Sequence, residues 1–128
     1  MTAKSCTIPV SVLRETPFSL PWGSTVITKV LATNSLGSSD YSQNGSGAKI
    51  ITKPDAPISL TEDTTIKSPT ILGISWTPPT FNGGTAITDY LINFAKSDEE
   101  FSATPIVVKN TNYKAESLTT GVSYKIRI

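Results

Sequence analysis

Along the second half of the chain, apolar and polar residues alternate in short runs. Leu72, Ile74 and Trp76 fall on one face of a strand predicted over Thr70 to Thr77, and Tyr90, Ile92 and Phe94 do the same over Ile87 to Lys96. Tyr124, Ile126 and Ile128 repeat the pattern over Val122 to Ile128, and further strands are predicted at Ile58 to Glu62, Phe101 to Val108 and Tyr113 to Ser117. Turn residues separate them: Pro78-Pro79-Thr80-Phe81-Asn82-Gly83-Gly84-Thr85 breaks one pair and Ser97-Asp98-Glu99-Glu100 another. These make six short strands in this half of the chain.

The first part reads differently. Cys6 to Leu13, Ser24 to Asn34 and Ala48 to Thr52 are predicted strands, but three strands with few large side chains do not close a sandwich alone. This part is therefore expected to be disordered or to borrow strands. Lys53-Pro54-Asp55-Ala56-Pro57 divides the halves, because its two prolines impose extended backbone and remove ladder donors. The expected organisation is a partial unit over residues 1–53, a linker over 54–57, and a second unit with six strands over 58–128.

Leu20-Pro21-Trp22-Gly23-Ser24-Thr25-Val26 is echoed by Leu118-Thr119-Thr120-Gly121-Val122-Ser123-Tyr124, 98 positions later. Residues 1–30 thus repeat 99–128, as in a window cut from a tandem array. Leaving the Val122 to Ile128 strand bare along one side would create an apolar edge of the sort native proteins cover. The expected cover is the Asn34 to Thr52 region of a neighbouring copy or unit, joined head to tail.

Composition narrows the function classes. With 11 basic and 10 acidic residues the net charge is +1, which supplies no footprint for nucleic acid. No apolar run approaches the length of a membrane-spanning segment. Without histidine the commonest general base and zinc ligand are missing. Ser46-Gly47-Ala48-Lys49 has a serine–lysine spacing but sits in a glycine-rich loop, and Asp98, Glu99 and Glu100 read as solvated hairpin charges rather than a calcium site. No catalytic residue, metal ligand or cofactor is expected, so the chain reads as non-enzymatic.

Two residues invite modification. Asn44-Gly45-Ser46 is an N-glycosylation sequon in a polar loop, with chance in a turn-rich segment as the alternative. Ser and Thr make up roughly a quarter of the chain, which suits O-linked sugar, although β-propensity explains much of the Thr. Cys6 is the single cysteine, and a lone thiol reads as a small buried hydrophobe.

Several segments together resemble the fibronectin type III domain. Pro54-Asp55-Ala56-Pro57 with Leu60 is similar to the start of its first strand, and Ile74-Ser75-Trp76-Thr77-Pro78-Pro79 to its second, with the buried tryptophan. Asn82-Gly83-Gly84-Thr85-Ala86-Ile87-Thr88-Asp89-Tyr90 resembles its glycine loop and third strand. The stretch from Leu118 to Tyr124 resembles its tyrosine corner. Ala32 to Ser42 is similar to the turn between its last two strands, while Val26 stands where the first unit would carry its corner tyrosine. Cys6 to Leu13 looks like a variant found in large tandem-repeat proteins of protists.

The resemblance implies an all-β, immunoglobulin-like antiparallel sandwich, in which Leu60, Ile74, Trp76, Tyr90, Ile92, Leu118, Tyr124 and Ile126 face one another between two antiparallel sheets and the unit over 58–128 lacks the final strand that the family uses. It also implies a structural or adhesive module of an extracellular or cell-surface protein, strung into a rod or filament with its own neighbours as partners. For a secreted parent the resemblance implies a disulfide partner for Cys6 outside the chain, with a buried thiol as the equal alternative. The alternatives are a soluble protein- or glycan-binding module, using loops such as Phe81 to Thr85 or Asn34 to Tyr41, and an intracellular scaffold repeat.

Overall fold

A computed structural model describes residues 5–128. In chain order the elements are α1 (Val10–Arg14), β1 (Thr25–Thr28), β2 (Thr33–Asn34), β3 (Gly37–Ser38), β4 (Gly45–Lys49), β5 (Ile58–Ser68), β6 (Ile71–Thr77), β7 (Tyr90–Lys96), β8 (Ile106–Val108), β9 (Asn112–Ala115) and β10 (Tyr124–Arg127). They fall into two compact units. One gathers the described residues up to Lys53 together with Gly83–Thr85, and the other holds Pro54–Asn82 and Ala86–Ile128.

The second unit is a sandwich of two three-stranded antiparallel sheets, ordered β5-β6-β9 and β10-β7-β8. Alternation along β6 and β7 sends Ile74, Trp76, Tyr90 and Ile92 into the space between the sheets, and Leu72, Ile87, Tyr113, Ile126 and Ile128 pack against them. Trp76 meets Tyr90 edge to face, with centroids 5.4 Å apart and planes at 70°. Gly73, on the opposite face of β6, lets β5 pass close: a Cβ there would stand 2.9 Å from Ile66 Cβ.

Leu60 is corrected by the structure, since it is 45% exposed rather than in the core. The cause is a register shift between Ile58, opposite Thr77, and Thr61, opposite Ser75, where Ser59 adopts a φ of 54°. This bulge breaks the period of two and turns Leu60 outward. Leu118, Tyr124 and Ile126 are half-buried. The predicted strand from Phe101 is also shorter than expected, because Pro105 lacks a ladder donor and only Ile106–Val108 pair with β7.

In the first unit the expected strand from Cys6 to Leu13 is replaced by the single helical turn α1. Pro9 cannot donate to a ladder but its φ of −59° suits a helix start, and Val12 N–H closes onto Pro9 O at 3.1 Å. Cys6 is exposed and unbridged. The first unit is ordered around small ladders: β1 pairs with β4, and β2 with β3. Ile50 is its deeply buried side chain, whereas Ile8, Phe18, Ile27 and Val30 stay exposed. Arg14 covers the Trp22 ring at 4.3 Å and donates to Leu20 O at 3.2 Å.

Candidate functional site: the outer edge of the last strand

The approach to β10 is fixed by a corner. Thr119 N–H donates to Tyr124 Oη at 2.9 Å, Leu118 N–H to Thr70 O at 3.0 Å, and Thr120 Oγ1 to Pro69 O at 3.2 Å. The Thr119 N–H favours the phenolate and holds the Tyr124 hydroxyl below the usual tyrosine range. The ring stacks on Phe94 with centroids 4.9 Å apart. On the outer face of the same sheet Lys125 Nζ and Arg127 Cζ lie 5.0 and 4.4 Å from the Phe101 ring centroid, and Arg127 Nε donates to Asn93 Oδ1 at 3.2 Å. Phe101, read from the sequence as a strand residue, thus lies in the irregular segment before β8, clamped by two cations.

These contacts hold β10 flat against β7, in unbroken register from Tyr124 opposite Lys96 to Arg127 opposite Asn93. Ser97 N–H donates to Ser123 O at 2.9 Å, which makes those two residues a hydrogen-bonded pair. Antiparallel ladders alternate, so Lys125 and Arg127 also bond β7 while the N–H and C=O of Tyr124 and Ile126 point away from it. Among the described residues no strand pairs with that outer side. The other long edge strand, β5, is interrupted by two register shifts that blunt it against pairing.

The first unit holds a strand at the 98-residue spacing read from the sequence, and that strand is paired. β1 begins 98 positions before Ser123, and Val26 is the counterpart of Tyr124. There Ile50 N–H donates to Ser24 O at 2.9 Å, Thr25 stands opposite Lys49, and Val26 opposite Ala48. By the same alternation Val26 bonds Ala48 through the backbone groups that Tyr124 leaves facing outward. In β1 these backbone groups are paired with β4, whereas in β10 they face outward.

A family model described as fibronectin type III domain matches residues 55–128. The chain belongs to the fibronectin type III family. It is 31% identical over 112 residues to the prolactin receptor of Columba livia, covering 84% of this chain and 13% of that protein. Among solved structures, titin kinase and its flanking domains align at 25% identity with a TM-score of 0.51, covering 59% of this chain and 13% of that one. A crystal structure of titin domains shares the fold at 23% identity and a TM-score of 0.57, over 76% of this chain and 32% of that one. Fibronectin type III units of this kind are general modules of surface and structural proteins, and the relatives here span both settings.

The remaining sequence candidates are scattered. Asn44 is exposed immediately before β4, Ser46 and Lys49 lie in β4 on an exposed strand, and Glu99 is held by Lys96 Nζ at 3.0 Å. No three metal-ligating side chains gather among the described residues. No described helix is long and apolar enough to cross a membrane. Phe81 and Trp22 are both half-buried, but the Val30 to Ser42 hairpin presents Leu36 at 96% exposure.

Proposed function

We propose that this chain is a non-enzymatic module of a tandem array in an extracellular or cell-surface structural or adhesive protein, and that the outer edge of β10 is the joint at which the next strand is added. The observation that carries this reading is the pair of outward-facing residues, Tyr124 and Ile126, set beside the internal example of β1 with β4. The completing strand is of the β4 type, antiparallel, with an Ala48-like residue opposite Tyr124. Because β4 is already paired with β1, trading it between separate copies replaces one ladder by an equivalent one and costs association entropy. That balance favours completion along one polypeptide over a filament of separate chains.

The test is to append the sequence of residues 31–54 after Ile128 and compare it with the 128-residue chain by amide hydrogen exchange and thermal melting. Expected are slowed exchange at Tyr124 and Ile126 and a rise in Tm on the order of 5 °C. Unchanged exchange at both amides would overturn the joint. Concentration-dependent polymers of the unextended chain would instead support completion between separate copies.

A second reading, a soluble protein- or glycan-binding module, is favoured by Leu36. Its hairpin is stiffened by Asn34 Oδ1, which accepts from the Leu36 and Gly37 N–H groups at 2.9 and 3.2 Å, and by backbone bonds from Ser39 to Ala32 and Ser42 to Val30. The resemblance to a receptor supports it, as the titin likeness supports an intracellular scaffold.

A further inference from the structure

We propose that Asn44 is a self-modification site, at which the backbone nitrogen of Gly45 attacks the Asn44 side-chain amide and converts it, through a cyclic succinimide, into aspartate and isoaspartate. The new bond joins Gly45 N to Asn44 Cγ, the Cγ–Nδ2 bond breaks, and the Gly45 amide proton leaves with the side-chain nitrogen as ammonia. Water then opens the ring at either carbonyl, so no oxidant and no co-reactant besides water is consumed. Such a ring closes readily where the asparagine side chain is unrestrained, the next residue has no Cβ to block the approach, and the backbone has room to turn.

Asn44 meets all three conditions. It is exposed, just before β4, and its side chain has no hydrogen-bond partner among the described residues. Gly45 follows as the first residue of β4, opposite Thr28 and beyond the register shift that separates this rung from Val26 and Ala48. An end rung cut off from its ladder opens at little cost, which lets the Gly45 nitrogen turn toward the side chain. The chain carries its own control, because Asn82-Gly83 is the same dipeptide. There Asn82 is engaged in a contact, Gly83 is buried, its carbonyl accepts from Thr52 N–H at 2.9 Å, and a Cβ on it would overlap Thr52 O. Asn34 and Asn93 are held by side-chain hydrogen bonds and are not followed by glycine. The dipeptide by itself makes Asn44 and Asn82 equal, and the structure separates them. Aspartate places a new carboxylate at the entry to β4 in a chain of net charge +1, and isoaspartate adds a backbone methylene that puts Gly45 out of step with Thr28. The nitrogen lost is the one a glycan would occupy, so the reaction marks the age of copies that carry no sugar on Asn44. It is independent of the β10 joint.

The experiment incubates the unglycosylated 128-residue chain in mildly alkaline buffer, folded and in urea, and follows both asparagines by peptide mapping with mass spectrometry that separates aspartate from isoaspartate. Expected in the folded chain is conversion of Asn44 to both products about tenfold faster than Asn82, the factor that corresponds to roughly one hydrogen bond in the barrier. In urea the two rates should converge. Gly45→Ala should slow Asn44 several-fold and leave the Asn82 rate, which reports on the intact fold, unchanged. Equal or faster conversion of Asn82 in the folded chain, a difference of the same size persisting in urea, or aspartate formed at Asn44 without isoaspartate would each overturn the proposal.

Discussion

Trp76 concentrates both the strength and the weakness of the core. It is 5% exposed and packed on Tyr90, so Trp76→Ala removes a large buried surface and is expected to cost about 3 to 5 kcal/mol, comparable with the whole stability of a domain this size. Its Nε1, however, has no hydrogen-bond partner among the described residues, and an orphaned buried donor carries a penalty of about 1 to 3 kcal/mol. Trp76→Phe relieves that penalty while keeping an aromatic ring, and is expected to cost less than half as much as the alanine variant in urea denaturation. At the corner, Tyr124 is expected to ionise at lower pH than an ordinary tyrosine, measured by ultraviolet difference titration against Tyr124→Phe. The sign follows from the shift: a folded hydroxyl held below its unfolded value makes stability rise with pH through the window between the two, and that gain is lost as pH falls through the folded value. Thr119→Pro, which removes the N–H, should return Tyr124 to the ordinary range.

At the scale of elements, strands β6, β7 and β10 were legible because their apolar residues keep a period of two on a surface buried on one side. Leu60 was not, because a bulge shifts the phase of β5 without leaving an apolar or glycine signal in the sequence; its cause is the backbone of Ser59. α1 was misread because Ile8, Val10 and Val12 alternate like a strand, and only Pro9 hinted that no ladder could run through them. The outward groups of Tyr124 and Ile126 follow from register, which a single strand's sequence does not encode. The phase shift in β5 gives a direct comparison by chemical denaturation. Leu60→Ser, at a 45% exposed side chain, is expected to cost less than about 1 kcal/mol, whereas Ile92→Ala, at a fully buried one, costs about 2 to 5 kcal/mol. Equal costs would place Leu60 back between the sheets.

For the whole molecule, the two units divide the work unequally. The second holds a core of Ile74, Trp76, Tyr90 and Ile92, while the first leaves Ile8, Phe18, Ile27 and Val30 exposed around short ladders. A unit with so little buried apolar surface sits at the low end of local stability, so its amides are expected to exchange faster than those of β6 and β7 in the intact chain. The same exposure bears on Asn44, which stands at the start of β4 on an accessible loop. In an array secreted through a glycosylating compartment, Asn44 is expected to carry a glycan, and its bulk would keep neighbouring strands from stacking on that end of β4. Mass spectrometry of native material settles occupancy. An unmodified Asn44 peptide, found together with a reduced Cys6, would move the array inside the cell and favour the scaffold reading, because an oxidising compartment leaves an exposed thiol poised to pair with a second cysteine. A glycan at Asn44 with Cys6 bridged to a cysteine outside this chain would instead favour the extracellular or cell-surface reading.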